Sequence, residues 1–512
     1  MTVDAPEAAS RTTARPGFRP GTARAVRVAA LVVVGGLGLV VAFWHISRQT
    51  PYVDEFTYIG SGWDYVHGAL GDNLQHPPTA KYLFGLVQLV TGQGVLGPRL
   101  LSAAASFGTG LVLLAWLRRT VGSWGALLAA GLWWLTPRAD SPTWTDVATG
   151  TAVRIDRLAL LEPLMTFFAV AAVAAAWHWA VRSRSDRGPW HGWWWMAASG
   201  ALLALSVTSK VSTAVLVLAL VLVPVLFRRW VGLLTGGVAA AVAFTVVFVA
   251  LYAPVGGLRA IEFMVAFQGK HDADGHEISL LGQDHQFAPW WTNPVRVVEG
   301  VGWPTVVVLL IGIVAALAIR PDRLVAVLGV SLGLLVVFYC TANVALPHYY
   351  QVWMPWAIAL AAVGLVRLAR LRPPVTTVVA LVAVAATVVP AAVVVRTVAD
   401  ARLTGFARID AVLAARGVPT GERLLVSGAS QQSFGVFVGA RGATQQVTHG
   451  DYGVLVDGVD PRFPMEPEIR ALLRTHRQDF ETFRVDALRV WVVRDGLAVQ
   501  RQGDAVTLVP AR

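Results

Sequence analysis

Eleven apolar runs divide this 512-residue chain, and they limit its fold more than any motif does. A helix needs about 20 apolar residues to cross the hydrocarbon core of a bilayer. By that measure the candidate spans are 26–47, 97–117, 124–135, 158–181, 190–208, 211–227, 231–253, 301–319, 324–341, 353–368 and 375–395. Backbone polar groups in lipid must be satisfied within the segment, so such runs are read as helices. Charged residues are 14% of the chain, against about 25% in ordinary soluble domains. The sequence predicts an α-helical polytopic membrane protein with about eleven transmembrane helices.

Charge sets the orientation. The net charge of +11 would point to nucleic acid in a soluble protein, but here the basic residues fall between apolar runs. Arg11, Arg15, Arg19, Arg24 and Arg27 precede the first run. Alternate loops then carry Arg118–Arg119, Arg182 with Arg184 and Arg187, Arg228–Arg229, Arg320 with Arg323, and Arg367 with Arg370 and Arg372. That is the positive-inside pattern, and it removes nucleic acid as a partner. Residues 1–25 read as a disordered cytoplasmic N-terminus, and the first run as a retained signal anchor. Residues 26–396 form the transmembrane domain, with external loops 48–96 and 254–300. Residues 397–512 form a small extracytoplasmic α/β domain, in which FARIDAVLAARG and EIRALLRTHR alternate with the strands RLLVSG, RVWVVRDG and VTLVP. The single cysteine, Cys340, excludes a disulfide framework and a cysteine metal site.

Chemistry concentrates just after the first run. Asp54 and Glu55 stand at headgroup depth in YVDEFTY, where ionisable groups are functional candidates. The bland alternative is a solvated pair at a helix start. DEFTYIGSGWDYVHGAL reads as an amphipathic interfacial helix, and HPPTAKY bends the chain at Pro77–Pro78 and sets Lys81 against apolar residues. Lys81 and Arg99 are candidates to hold a phosphate, with headgroup snorkelling as the alternative.

These elements resemble bacterial phospholipid-carrier-dependent glycosyltransferases of the protein O-mannosyltransferase superfamily, with the GT-C fold. The resemblance rests on DE-x-x-Y with Tyr58, HPP-x-x-K with His76 and Lys81, and Arg99 at the start of the second span. It continues through RIDRLALLEPLMTFF, where Glu162 replaces the usual Asp, and LSVTSKVSTAVL around Lys210. GHEISLLGQDHQFAPWW with His276 and ALPHYYQVWMP with His348 complete it. It implies an inverting transferase moving a sugar, mannose or a pentose, from a polyprenyl-phosphate donor to an extracytoplasmic acceptor. That acceptor is protein Ser/Thr or a cell-envelope glycan or lipid. Asp54 is then the base, with Glu55 orienting the acceptor or a cation. Tyr58, His76, Lys81, Arg99, Glu162, Lys210, His276 and His348 bind substrate. The enzyme would sit in the plasma membrane and require no cofactor.

Other readings stay open at this point. Asp272 and Asp274, with His271, His276, Glu277, Asp284 and His285, could hold a divalent ion or simply solvate a loop. His348 touches the donor or joins Tyr349, Tyr350 and Trp353 in an aromatic belt. Asp146, Arg154, Asp156 and Arg157 read as bracing ion pairs, and Trp133–Trp134 and Trp193–Trp195 as interfacial anchors. The rival class is a transporter or flippase of lipid-linked sugars, which should show inverted repeats and polar mid-membrane helices.

Overall fold

A computed structural model describes residues 20–47, 52–139, 154–182, 192–371, 373–400, 404–429, 442–447, 450–458, 463–494, 496–503 and 505–511. Residues 1–19, Asp146, Arg184, Arg187 and Arg372 fall outside them.

Every predicted apolar run is helical over most of its length. The helices are α1 (Pro20–Phe43), α2 (Val53–Val66), α3 (Thr79–Thr91), α4 (Leu96–Leu117), α5 (Ser123–Leu135), α6 (Leu161–Arg182) and α7 (Trp193–Val207). They continue with α8 (Val217–Leu226), α9 (Trp230–Tyr252), α10 (Leu258–Asp274), α11 (Thr292–Val301), α12 (Trp303–Ile319), α13 (Arg323–Thr341), α14 (Met354–Leu368) and α15 (Pro373–Ala399). Five of these, α1, α4, α6, α9 and α13, are long and apolar enough to cross a bilayer alone. The pair α11–α12, bent by 117°, makes a sixth candidate, and the other apolar helices are shorter than the test length. The helical membrane architecture therefore holds, while the count of eleven crossings goes beyond what helix length supports. Only 17% of the apolar window of α1 and 6% of that of α9 is buried, so their apolar faces need lipid.

The buried core runs through α4–α8 and α12–α14. Helices α2 and α3 form a tight hairpin at one end of this bundle. A Cβ at Gly62 would lie 2.8 Å from the Lys81 carbonyl, and one at Gly85 would strike the Gly62 carbonyl. Thr79 donates its backbone N–H to the Thr208 carbonyl at 2.9 Å, and their hydroxyls meet at 2.6 Å. The hairpin is thereby fastened to the C-terminal end of α7.

The C-terminal segment contains α16 (Ile409–Ala415), α17 (Pro467–Thr475) and the strands β3 (Leu424–Ser427), β4 (Ala443–Thr444), β5 (Val454–Asp457), β6 (Phe480–Val485) and β7 (Leu488–Val493). These strands make one sheet in the order β4-β3-β5-β7-β6. Parallel pairing of β3 with β4 and β5 gives way to antiparallel pairing of β5, β7 and β6. A second hairpin joins β8 (Leu497–Gln502) to β9 (Ala505–Pro510). A smaller pair, β1 (Ile278–Leu280) and β2 (Gln283–His285), closes the loop after α10.

Candidate active site

The ends of α1, α7 and α13 and the starts of α2, α4 and α6 meet at one end of the bundle. This placement explains how residues 54, 99, 162, 210 and 348 come together from distant parts of the chain.

Glu55 is fully buried and saturated. Its carboxylate accepts from Arg99 Nε at 2.8 Å and Nη2 at 2.6 Å, from the Ala159 N–H at 2.6 Å and from the Tyr52 N–H at 2.8 Å. Arg99, also fully buried, donates further to the Ile46 carbonyl at 2.8 Å. The bidentate pair ties α1, α2, α4 and the segment before α6 into one knot. Sequence reading sets Arg99 on a phosphate and Glu55 on the acceptor or a cation, and the cation that Glu55 holds is Arg99. In this structure both groups are committed to each other inside the protein, because two charges removed from water persist only with matched partners. The cap reading of the acidic pair fits Glu55, whose carboxylate takes up the N–H before α2.

Asp54, half-buried one residue earlier, makes no hydrogen bond or ion pair among the described residues. Its charge acts on Tyr58 and on Tyr349. Burial first, then Asp54, raises the Tyr58 pKa well above its ordinary value, so Tyr58 stays a phenol.

Next to these tyrosines lies a second buried cluster. Glu162 pairs with Lys210 Nζ and, at 3.2 Å, with His348 Nε2. Lys210 keeps 14% of its side chain exposed and sits 3.9 Å from the centroid of the Tyr349 ring. Its position follows from the chain break there. Helix α7 ends at Val207, Lys210 is extended, and a 3-10 turn, Val211–Leu216, begins directly after it. The hydroxyls of Thr208 and Ser209 bond back to the Ala204 and Leu205 carbonyls at 2.6 and 2.7 Å, alongside the backbone N–H groups that those carbonyls already accept. Glu162 Oε2 and His348 Nδ1 are buried without partners among the described residues. The ring of His348 packs edge-on to both Tyr52 and Tyr349.

Tyr349 is thus a site residue that the belt reading misses. Tyr350 is no belt residue either: it is fully buried and donates to the Ala139 carbonyl at 2.9 Å. The belt reading also fails for Trp133 and Trp134, which are core residues donating to the Ser106 and Phe107 carbonyls at 2.7 and 3.0 Å. It suits Trp193 and Trp194, each 51% exposed.

His76 packs edge-on to Tyr58 at 5.4 Å between ring centroids, beside the cluster. Burial, then the charges of Lys210 and Lys81, pushes its pKa down to about 3, so the ring is neutral. Lys81 departs from its expected role. It is fully buried and donates to the Asn73 carbonyl and, at 2.9 Å, to the His76 carbonyl. Burial lowers its pKa to about 7. This lysine fastens the α2–α3 loop from inside the protein.

His276 is exposed, with its ring 5.6 Å from that of His271 and no contact to the Lys210 cluster among the described residues. Asp272 is bonded to Asn343, accepting from its N–H at 2.9 Å. No group of three metal-ligating side chains assembles among the described residues. Arg138 and Arg154 both pair with the buried Asp156, while Arg157 donates to the Val41 and Trp44 carbonyls. These contacts brace the start of α6 and hold Glu162 in place.

The fold and the cluster define a class: a helical membrane protein with a GT-C-like fold and a buried carboxylate–lysine–histidine site at one end. Residues 32–268 match the family described as PMT, dolichyl-phosphate-mannose-protein mannosyltransferase. A polyprenol-phosphate-mannose–protein mannosyltransferase of Corynebacterium glutamicum is 27% identical over 212 residues, which are 35% of this chain and 38% of that relative. Among solved structures, ArnT from Cupriavidus metallidurans bound to undecaprenyl phosphate superposes with a TM-score of 0.59 at 14% identity, covering 92% of this chain and 98% of that one. An Archaeoglobus fulgidus oligosaccharyltransferase tethered to an acceptor peptide gives 0.50 at 14% identity, over 82% of this chain and 63% of that one. At such identities the structural matches speak for the fold alone. The resemblance to the bacterial protein O-mannosyltransferase-like superfamily read from the sequence is borne out.

Proposed function

We propose that this chain is a membrane glycosyltransferase that moves a sugar, mannose or a pentose, from polyprenyl phosphate to a hydroxyl of an extracytoplasmic acceptor. The observation that carries the reading is a carboxylate, Asp54, that has no ion-pair or hydrogen-bond partner among the described residues and whose charge acts on the same tyrosine that covers the partly exposed Lys210. The acceptor oxygen attacks the anomeric carbon while Asp54 takes its proton. The bond from that carbon to the phosphate oxygen breaks, and its electron pair leaves with polyprenyl phosphate. Attack opposite the leaving group inverts the centre. Lys210 meets the charge that grows on the phosphate, the kind of preorganised stabilisation that dominates many such sites. Glu162 and His348 hold Lys210 in position, and the Glu55–Arg99 knot holds the first turn of α2, hence Asp54. No resident metal enters this scheme. The relatives lend the transport alternative no support, and the arginine-rich loops favour an orientation with the site outside.

The test is release of free polyprenyl phosphate from labelled donor by the purified full chain, supplied with acceptor. Asp54→Asn should lower turnover by about 100- to 10,000-fold, the usual share of a general base, while donor binding persists. Turnover within twofold of wild type would overturn the assignment.

A further inference from the structure

At the opposite end of the bundle, a cavity of about 930 Å³ opens between α1, α4, α5, α6 and α7. Its mouth carries Arg24, Arg27, Arg118, Arg119 and Arg182, and no carboxylate lines it among the described residues. The guanidinium groups of Arg24, Arg118, Arg119 and Arg182 form no ion pair or hydrogen bond among the described residues. The interior is apolar, formed by Leu31, Leu111 and Leu127 with Trp177 and Trp195. Two polar atoms of its lining residues, His178 Nε2 and Trp116 Nε1, are buried without a hydrogen-bond partner among the described residues.

Orientation accounts for arginines in a loop, but not for their convergence on one apolar crevice. Unpaired guanidinium groups repel one another, and an anion among them would relieve that repulsion. A soluble anion would leave the leucine-lined interior unused. An anionic lipid satisfies both parts, with its phosphate among the arginines and its acyl chain along α1 and α4. Basic pockets between membrane helices bind acidic headgroups in this way. We infer that this crevice is a binding site for an anionic phospholipid of the leaflet opposite the Asp54–Lys210 site. The inference rests on the bundle spanning a bilayer and is independent of the transferase reading.

The test is native mass spectrometry of the full-length protein after exchange into mixed phosphatidylglycerol and phosphatidylcholine. Wild type should retain phosphatidylglycerol at least tenfold over phosphatidylcholine, and Arg118→Ala/Arg119→Ala should lose most of that preference. Leu111→Trp, which fills the crevice and keeps every arginine, should lose it too. Arg228→Ala, a basic residue outside the cavity lining, should retain it. Equal retention of the two lipids by wild type, or an unchanged preference in both crevice variants, would overturn the proposal. Displacement of the bound lipid by millimolar inorganic phosphate would also overturn it, by assigning the site to a free anion.

Discussion

Arg99 offers the sharpest mechanical prediction, because the ion-pair knot and a phosphate site demand opposite outcomes. Removing the guanidinium in Arg99→Met leaves the Glu55 carboxylate buried with only the two backbone donors of Tyr52 and Ala159. Breaking a buried pair from one side costs about 3–5 kcal/mol, since the surviving charge has lost its partner. Adding Glu55→Gln removes that charge. The amide oxygen still accepts one backbone N–H, and its NH2 group faces the other donor, an unmade hydrogen bond worth about 1–3 kcal/mol. The double variant should therefore be more stable than Arg99→Met, although it carries one substitution more. Thermal unfolding in detergent measures the order: wild type, then the double variant, then Arg99→Met. Transferase activity should recover with stability in the double variant, with donor KM within about threefold of wild type. If Arg99→Met unfolds like wild type but binds donor at least tenfold more weakly, Arg99 is a phosphate ligand and the knot is misread.

Three further outcomes follow from the site. Lys210→Met should reduce kcat by about 100- to 1,000-fold, the usual cost of losing one donor to a developing oxyanion. Adding Glu162→Gln should restore stability but not turnover, as steady-state kinetics and thermal unfolding together would record. His76, held near pH 3 by burial and by Lys210 and Lys81, takes up its proton in the unfolded chain first, from about pH 6.5 downward. Stability should thus fall as pH drops below 6.5, and His76→Gln should flatten that fall in unfolding midpoints measured between pH 7 and 4.5. Turnover should be unaffected by EDTA after metal-free purification, and restoration by added divalent ion would refute the metal-free scheme.

The helical segments could be read from the sequence because apolar length is a local property. So could Asp54, Glu162, Lys210 and His348 as candidates, since each stands in a short motif. What the sequence hides is pairing between distant residues. Glu55 and Arg99 are 44 positions apart, and nothing local says that two apparent substrate-binding charges satisfy each other. Lys81 misleads for a related reason: its partners are backbone carbonyls, which leave no mark on the sequence. Tyr349 and Trp133–Trp134 show the limit of reading aromatics at span ends. An interfacial ring and a buried one look alike until the neighbouring helices are placed. One available signal was missed. Glycines 62 and 85 flank the α2–α3 turn, and such small residues mark a close helix pair.

Where the phosphate of bound polyprenyl phosphate lies tests the account most directly. A structure of the full chain with that lipid should show a phosphate oxygen about 3 Å from Lys210 Nζ, on the side of Tyr349 and Asp54, with the Glu55–Arg99 pair intact. A phosphate held by Arg99 or Lys81, with Lys210 still buried against Glu162 and out of reach, would contradict it.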